Sequence, residues 1–231
     1  MSASGWIDFF DHKHSIYVND RHEAAHYRGV AEGIRPYAPA GGVLLDYGCG
    51  AALSADLVAE PLSRLILCES APNVRSSLAA RFAGNGKIVV RKPEDVQMMP
   101  AGSMDVIIMH SVTQYLTGAE FDALAVLFRR LLKPGGLLVI GDVIPRKISA
   151  LTDVLTLLRF GAQKGFFWAA VRGLFRTFFS DYRRLRQSLG LTRYDAAEIL
   201  AKLEQAGFSA EPAPSNIGHN ERRNSFLAHA R

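Results

Sequence analysis

The stretch Val43-Leu44-Leu45-Asp46-Tyr47-Gly48-Cys49-Gly50-Ala51-Ala52-Leu53-Ser54-Ala55 decides the fold. Val43, Leu44 and Leu45 read as the end of a fully buried strand, Gly48 and Gly50 permit a tight turn, and residues 51 to 59 are predicted to form a helix directly after it. A strand, a glycine turn and a helix N-terminus in that order let a ligand approach the backbone closely. The N–H groups of the first helical turn then favour anionic or carbonyl oxygens. Two glycines after a strand also occur in doubly wound proteins that bind nothing there, so the residues downstream decide the matter.

A chain of 231 residues with 48% hydrophobic content suits one domain with room for an inserted subdomain. Trp6 is soon followed by Asp8, Asp11 and Lys13, so no apolar stretch resembles a signal peptide. Only Cys49 and Cys68 are present, both in or beside predicted buried strands, which points to reduced thiols and a cytoplasmic location. The net charge of +5 is uneven: between 146 and 193, ten Lys and Arg face only Asp153 and Asp181, a local +8, which leaves −3 for the remainder.

Downstream, apolar runs alternate with helical patterns. Leu65 to Cys68 ends in Glu69, Lys87 to Val90 reads as a third strand, and Met104 to Met109 as a fourth that ends in His110-Ser111. A helix is expected from Glu120 to Leu132, stopped by Pro134-Gly135-Gly136, then a fifth strand from Leu137 to Ile140. A helix over 195–206 and strands over 208–214 and 225–230 close the chain. The expected fold class is therefore α/β: a doubly wound, mostly parallel seven-stranded sheet with helices on both faces and ligands at the carboxyl ends of the strands.

Two segments fall outside this rhythm. Residues 6 to 35, with Trp6, Phe9, Phe10, Ile16, Tyr17, Tyr27 and Val30 among polar groups, suggest amphipathic helices that cover something. Their histidines (His12, His14, His22, His26) lack a tight metal-ligand spacing with paired acids, so no metal site is expected. His12 and His14 suit solvent or packing, whereas His26 and Tyr27 lie on a helix that can close over the glycine turn. From Phe160 to Phe179, six phenylalanines and Trp168 interleave with Lys164, Arg172 and Arg176, charges that exclude a membrane span.

Taken together, Asp46-Tyr47-Gly48-Cys49-Gly50, Glu69 at the end of the second strand, and Leu131-Leu132-Lys133-Pro134-Gly135-Gly136-Leu137-Leu138-Val139-Ile140 resemble the class I S-adenosylmethionine-dependent methyltransferases of the seven-stranded Rossmann-like type. The resemblance covers about residues 40 to 145 by motif and 195 to 231 by strand pattern. It implies a helical cover over 1–38, a cofactor-binding Rossmann-like core over 39–145, a helical insertion over 146–193 that serves as acceptor-site lid, and a C-terminal helix and last core strands over 194–231. It departs from the family at Ala52, where a third glycine is common.

The resemblance also implies the roles. Asp46 and the backbone at Gly48, Cys49 and Gly50 would hold the methionyl amino and carboxylate groups of S-adenosylmethionine, and Glu69 both ribose hydroxyls with Ser70 beside it. Glu94 or Asp95, with Val96, would meet the adenine, although a solvated turn serves equally well as a reading of the two acids. His110 and Ser111 would lie near the sulfonium; His110 either contacts the methionyl part, acts as a base, or is simply packed. Tyr115, Asp142, Tyr17, His26 and Tyr27 are further candidates to reach the acceptor, with His110, Tyr115, His26 and Tyr27 the catalytic ones.

Methyl transfer is an in-line displacement in which alignment supplies most of the help, and a base is needed only for acceptors such as hydroxyls. The acceptor expected is a small, apolar or amphipathic metabolite. After the fourth strand, His110-Ser111-Val112-Thr113-Gln114-Tyr115 stands in place of Asn-Pro-Pro-Tyr, which argues against a nucleic-acid base amine. The insertion's aromatics line a pocket while its arginines face an anionic group or an anionic membrane surface, or else the helices pack on the sheet with solvated arginines. A nicotinamide-dependent oxidoreductase and a non-catalytic binding protein are the rival classes, and monomer and homodimer both stay open.

Overall fold

Along the central strands, neighbouring side chains enter opposite cores, and that period of two builds the layers. The computed structural model describes residues 4–12, 17–147, 150–178 and 190–231. His14, Ile16, Phe179 and Asp181 lie outside the described residues, as does the end of the aromatic, basic segment. The strands are β1 (Val43–Tyr47), β2 (Arg64–Cys68), β3 (Ile88–Arg91), β4 (Met104–His110), β5 (Leu132–Val143), β6 (Phe208–Pro212) and β7 (Asn224–Ala230), in one sheet of order β3-β2-β1-β4-β5-β7-β6. The first five run parallel, and β7 is antiparallel to both β5 and β6.

On one face, Leu45, Ile107, Leu138 and Ile140 pack with α5 (Pro93–Gln97), α6 (Gly118–Leu131) and α9 (Ala196–Gln205) through Val96, Phe121, Phe128, Ile199 and Leu203. On the other, Leu44, Leu65, Leu67, Ile108 and Val139 pack with α2 (Asp20–Ile34), α3 (Ala55–Ala59) and α4 (Pro72–Arg81) through Ala31, Ile34, Val58 and Leu78. The sheet is thus a seven-stranded, mostly parallel one with helices on both faces, and one antiparallel hairpin closes its edge.

Several boundaries differ from the sequence expectation, among them the end of β6, which stops at Pro212 and not at residue 214. The helix expected over 51–59 begins only at Ala55, because Ala52 adopts φ 41°, a left-handed conformation that breaks the helical path. Pro134-Gly135-Gly136 does not leave the sheet: β5 starts at Leu132, paired with Met104, and the register shifts before Val106 and Leu137 pair. The helix before it starts at Gly118, where Thr117 and Glu120 form a reciprocal cap, Glu120 N donating to Thr117 Oγ1 and Thr117 N to Glu120 Oε2.

Over the carboxyl ends of the strands lies α1 (Ser4–Asp11). Its Trp6 packs 4.7 Å from Tyr115, just after β4, and its Asp11 accepts from Asn73 N and Nδ2 at the start of α4. It therefore bridges from the end of β4 to the end of β2. Next to it, α7 (Ala150–Lys164) and α8 (Phe167–Phe178) pack against α2 through Phe160, Phe166 and Ala170, which meet Val18 and Ala25. Among the described residues no helix is long and apolar enough to cross a membrane.

The turn after β1 depends on glycine. Gly48 has φ +77°, and a Cβ there would lie 2.5 Å from Val112 Cγ2. Gly48→Ala is therefore expected to lower the unfolding free energy by about 2–3 kcal/mol in urea denaturation; a loss below about 0.5 kcal/mol would show that the turn relaxes freely.

Candidate functional site

Because β1 and β2 are adjacent and parallel, with Tyr47 beside Cys68, the turn after β1 and the acid after β2 emerge at the same edge. Glu69, buried at 8% exposure, accepts from Gly50 N at 2.9 Å with Oε2 and from Ala71 N at 2.8 Å with Oε1. Arg75 donates to the carbonyls of Glu69 and Ser70, which fixes the chain beneath the carboxylate. Burial raises the Glu69 carboxyl above its ordinary range and outweighs the N–H groups of Ala71, Gly50 and Ser70, which act to lower it. Asp46, half-buried at the end of β1, is pushed up to about 7 by burial and then by the charge of Glu69.

The glycine turn is saturated with internal partners. Gly48 N and Cys49 N both donate to Cys68 O, and Gly50 N to Glu69. Ala51 N donates to Tyr27 Oη at 2.8 Å, so α2 closes directly onto the turn. A Cβ on Gly50 would stand 2.6 Å from the same hydroxyl. Tyr27 is also hydrogen-bonded to Tyr17, and burial pushes its phenol up to about 12, too high for a base near neutrality. The Cys49 thiol is likewise raised by burial first, then by Asp46 and Glu69, so it is inert.

The remaining candidates separate into two groups. His110, at the end of β4, holds its Nε2 3.1 Å from Ile217 O. A carbonyl only accepts, so Nε2 carries the proton and Nδ1 is the bare nitrogen of the neutral ring. Burial lowers its pKa, against an opposing pull from Asp142. His26 lies 6.4 Å from His110 and 6.2 Å from His219, ring to ring, and Tyr17 lies 5.4 Å from His26. His219 stacks on Phe160 at 4.2 Å, which joins the histidines to α7. Burial, and next His110, His219 and His22, press His26 down to about 3, so it is a neutral ring at working pH. Tyr115 instead packs under α1 with Trp6 and Phe10.

Ser111 donates to Asp142 Oδ2 at 2.7 Å across the ends of β4 and β5, and Arg223 reaches the same oxygen at 3.2 Å. Ser111 has φ 56° and Asp142 φ 62°, a left-handed conformation held in both by this contact and by Ser111 N donating to Gly141 O. Glu94 and Asp95 are exposed on α5; Asp95 caps its own helix by accepting from Lys92 N, while Val96 is buried beneath. Sequence reasoning overlooked His219, Ile217 and Arg223, which stand in a polar, aperiodic connection between β6 and β7 with no pattern to mark them.

The acid pair can hold an ammonium at Asp46 and vicinal hydroxyls at Glu69, and the Gly50 and Ala51 N–H groups can serve a carboxylate if their present acceptors yield. The donor set therefore fits an amino-acid-bearing nucleoside. Among the described residues no group of three His, Cys, Asp or Glu is placed to hold a metal ion.

Residues 45–140 match a family model described as a methyltransferase domain. No curated protein matches the chain in sequence. Among solved structures it is similar to the N-methyltransferase NodS from Bradyrhizobium japonicum WM9 in complex with S-adenosyl-L-homocysteine, at 16% identity, covering 99% of this chain and 97% of that one, with a TM-score of 0.59. It is similar to the pyocyanin biosynthetic protein PhzM at 14% identity, with 91% of this chain and 56% of that one covered and a TM-score of 0.59. The YcgJ protein from Bacillus subtilis gives 14% identity, coverage of 81% and 70%, and a TM-score of 0.56. The chain thus spans little more than half of PhzM. At such identities the likeness is one of fold.

A carboxyl whose pKa is higher in the fold than in the unfolded chain binds its proton more tightly when folded. Its contribution to stability is then fully present below the unfolded value and is lost as pH rises through the folded one. For Asp46 that window runs from 3.8 to about 7. Asp46→Asn is therefore expected to be more stable than the parent at pH 8, by on the order of 2 kcal/mol, with the gap closing toward pH 4. The neutral histidines act alike in both proteins and cancel. Thermal unfolding at the two pH values checks this; equal stability at pH 8 would contradict it.

Proposed function

We propose that the chain, whose residues 45–140 match a methyltransferase-domain model, is a class I S-adenosylmethionine-dependent methyltransferase that methylates a hydroxyl, amine or carboxylate of a small apolar or amphipathic metabolite by in-line displacement. The observation that carries the proposal is the Glu69 carboxylate tied to Gly50 N with Asp46 beside it at one edge of the sheet. S-adenosylmethionine, when bound, supplies the sulfonium methyl.

In this proposal Asp46 takes the cofactor's ammonium, which offsets the charge repulsion from Glu69. Glu69 turns its remaining lone pairs to the ribose hydroxyls, with Ser70 alongside. Cys49, Val96 and Ser111 contribute walls and backbone, and Glu94 or Asp95 faces the adenine from α5. Tyr27 acts as a gate: its hydroxyl holds Ala51 N, the donor a methionyl carboxylate oxygen would use, and must leave for that contact to form.

His110 serves as the acceptor's base or orienter, since its proton is committed to Ile217 O and Nδ1 is bare. The ring wall of Tyr17, His26, His110, His219 and Phe160 suits an aromatic or amphipathic acceptor, and the ring faces exclude water from the displacement. Residues 1–38 act as the cover and 146–193 as the acceptor-site lid. The packing of Phe166 on His22 and of Phe160 on His219 supports that division.

Incubation with labelled methyl donor and a cell extract, followed by mass identification of the labelled species, tests the proposal and names the acceptor. Asp46→Ala and Glu69→Ala are each expected to weaken donor binding by about 1–3 kcal/mol in calorimetry; unchanged affinity in both folded variants would mean the cofactor lies elsewhere. Tyr27→Phe removes the competing acceptor, so donor binding should tighten by up to about tenfold. A weakening there would make Tyr27 a cofactor contact rather than a gate.

A further inference from the structure

On a folded chain, large apolar side chains scatter singly over the surface, and an exposed cluster of them marks a contact. Among the described residues, six large hydrophobic side chains are exposed, and three of them fall on the α7–α8 hairpin: Leu155 at 59%, Phe167 at 37% and Trp168 at 80%. Trp168 and Phe167 stand at the tip, next to the turn at Gly165, with Lys164 beside them. Each helix repeats one pattern on its outer side: Leu155 and Arg159 are four residues apart on α7, and Trp168 and Arg172 four apart on α8, all four exposed. From 154 to 174 there are three cations and no carboxylate.

The inner side of the same hairpin is already occupied. Phe160, Phe166 and Ala170 are buried against α2, Phe166 stacks on His22, and Arg21 donates to Gly165 O. The contacts that hold the hairpin to α2 are therefore those of its inner side. Helices of 15 and 12 residues are too short to span a bilayer, for which about 20 are needed. A tip of Trp and Phe ringed by Lys and Arg matches the boundary of an anionic lipid leaflet, where indole seats among headgroups and cations meet phosphate.

We propose that the outer face of the α7–α8 hairpin, through Trp168, Phe167 and Leu155 with Arg159, Lys164 and Arg172, docks this protein on an anionic phospholipid surface. The docking face stands on the hairpin alone. A corollary rests on the methyltransferase proposal: the inner residue Phe160 touches the His219 wall, so docking presents the acceptor site to the leaflet and the acceptor is a membrane-dissolved amphiphile.

The chain has two tryptophans, Trp6 at 4% exposure and Trp168 at 80%, so a change of indole emission on docking reports Trp168. With vesicles of phosphatidylcholine and phosphatidylglycerol, the full chain should co-sediment and its emission shift to the blue, and both effects should fall at high salt. Trp168→Ala should abolish the shift, and an Arg159→Gln/Arg172→Gln double variant should weaken co-sedimentation at least about fivefold, with thermal unfolding unchanged in each. The proposal is overturned by no association of the folded protein with the anionic vesicles, by equal association with phosphatidylcholine alone, or by association indifferent to these substitutions. Titration of the same preparations with S-adenosylhomocysteine separates the two ideas. Vesicle binding without nucleoside binding removes the methyltransferase proposal and leaves the docking face; the reverse removes only the docking face.

Discussion

The Glu69 carboxylate is held by two backbone N–H groups from two different segments, Gly50 after β1 and Ala71 before α4. Hydrogen bonds to an ionised group are worth about 1.5–3 kcal/mol each, enough to keep an acid at a buried strand end where burial works against its charge. Through that link the glycine turn is tied to the end of β2, Asp46 is set beside a like charge, and Ala51 N is aimed at Tyr27. A site built in this way carries unfavourable electrostatics in its free state. A ligand bearing an ammonium relieves them, so binding and stability draw on the same pair of acids.

Backbone strain gathers at the same edge. Among the described residues, the three non-glycine residues with positive φ are Ala52, Ser111 and Asp142, and they follow or end β1, β4 and β5. Such conformations cost of order 1–3 kcal/mol each and persist only where surroundings enforce them. The Ser111–Asp142–Arg223 contacts enforce two of them, and Arg81 donating to Ala52 O steadies the third. Strained turns, a raised carboxyl and the neutral rings of His26 and His110 thus lie along one edge of the sheet, while the opposite ends of the strands are tied by plain pairs such as Asp105 with Lys133.

Much of the architecture was legible in the residues because buried parallel strands and their helices leave local, periodic traces. Leu44 and Leu45 face opposite cores, and the helix after β4 announces itself through Phe121, Phe128 and Leu131. Gly48 and Gly50 were visible as turn glycines directly after a strand, and Asp46 and Glu69 as candidates through the family resemblance. The helix start after the turn was misread, because Ala is a good helix former and nothing in its type signals that Ala52 must turn left-handed. His219 and Arg223 were invisible for a different reason. Their placement depends on a connection anchored by Asn216 and Ser225 across the sheet edge, a contact set by tertiary packing.

The N-terminal helices and the α7–α8 hairpin are linked by contacts: α1 reaches from Tyr115 to Asn73, α2 bears on the glycine turn, and the hairpin bears on α2. The most direct measurement of the central claim is calorimetric titration of the intact chain with S-adenosylhomocysteine and, separately, with NAD. The account predicts one-to-one binding of S-adenosylhomocysteine that weakens as pH falls below about 7, where Asp46 takes up its proton, and no binding of NAD. Binding of NAD in place of S-adenosylhomocysteine, or of neither, would contradict it.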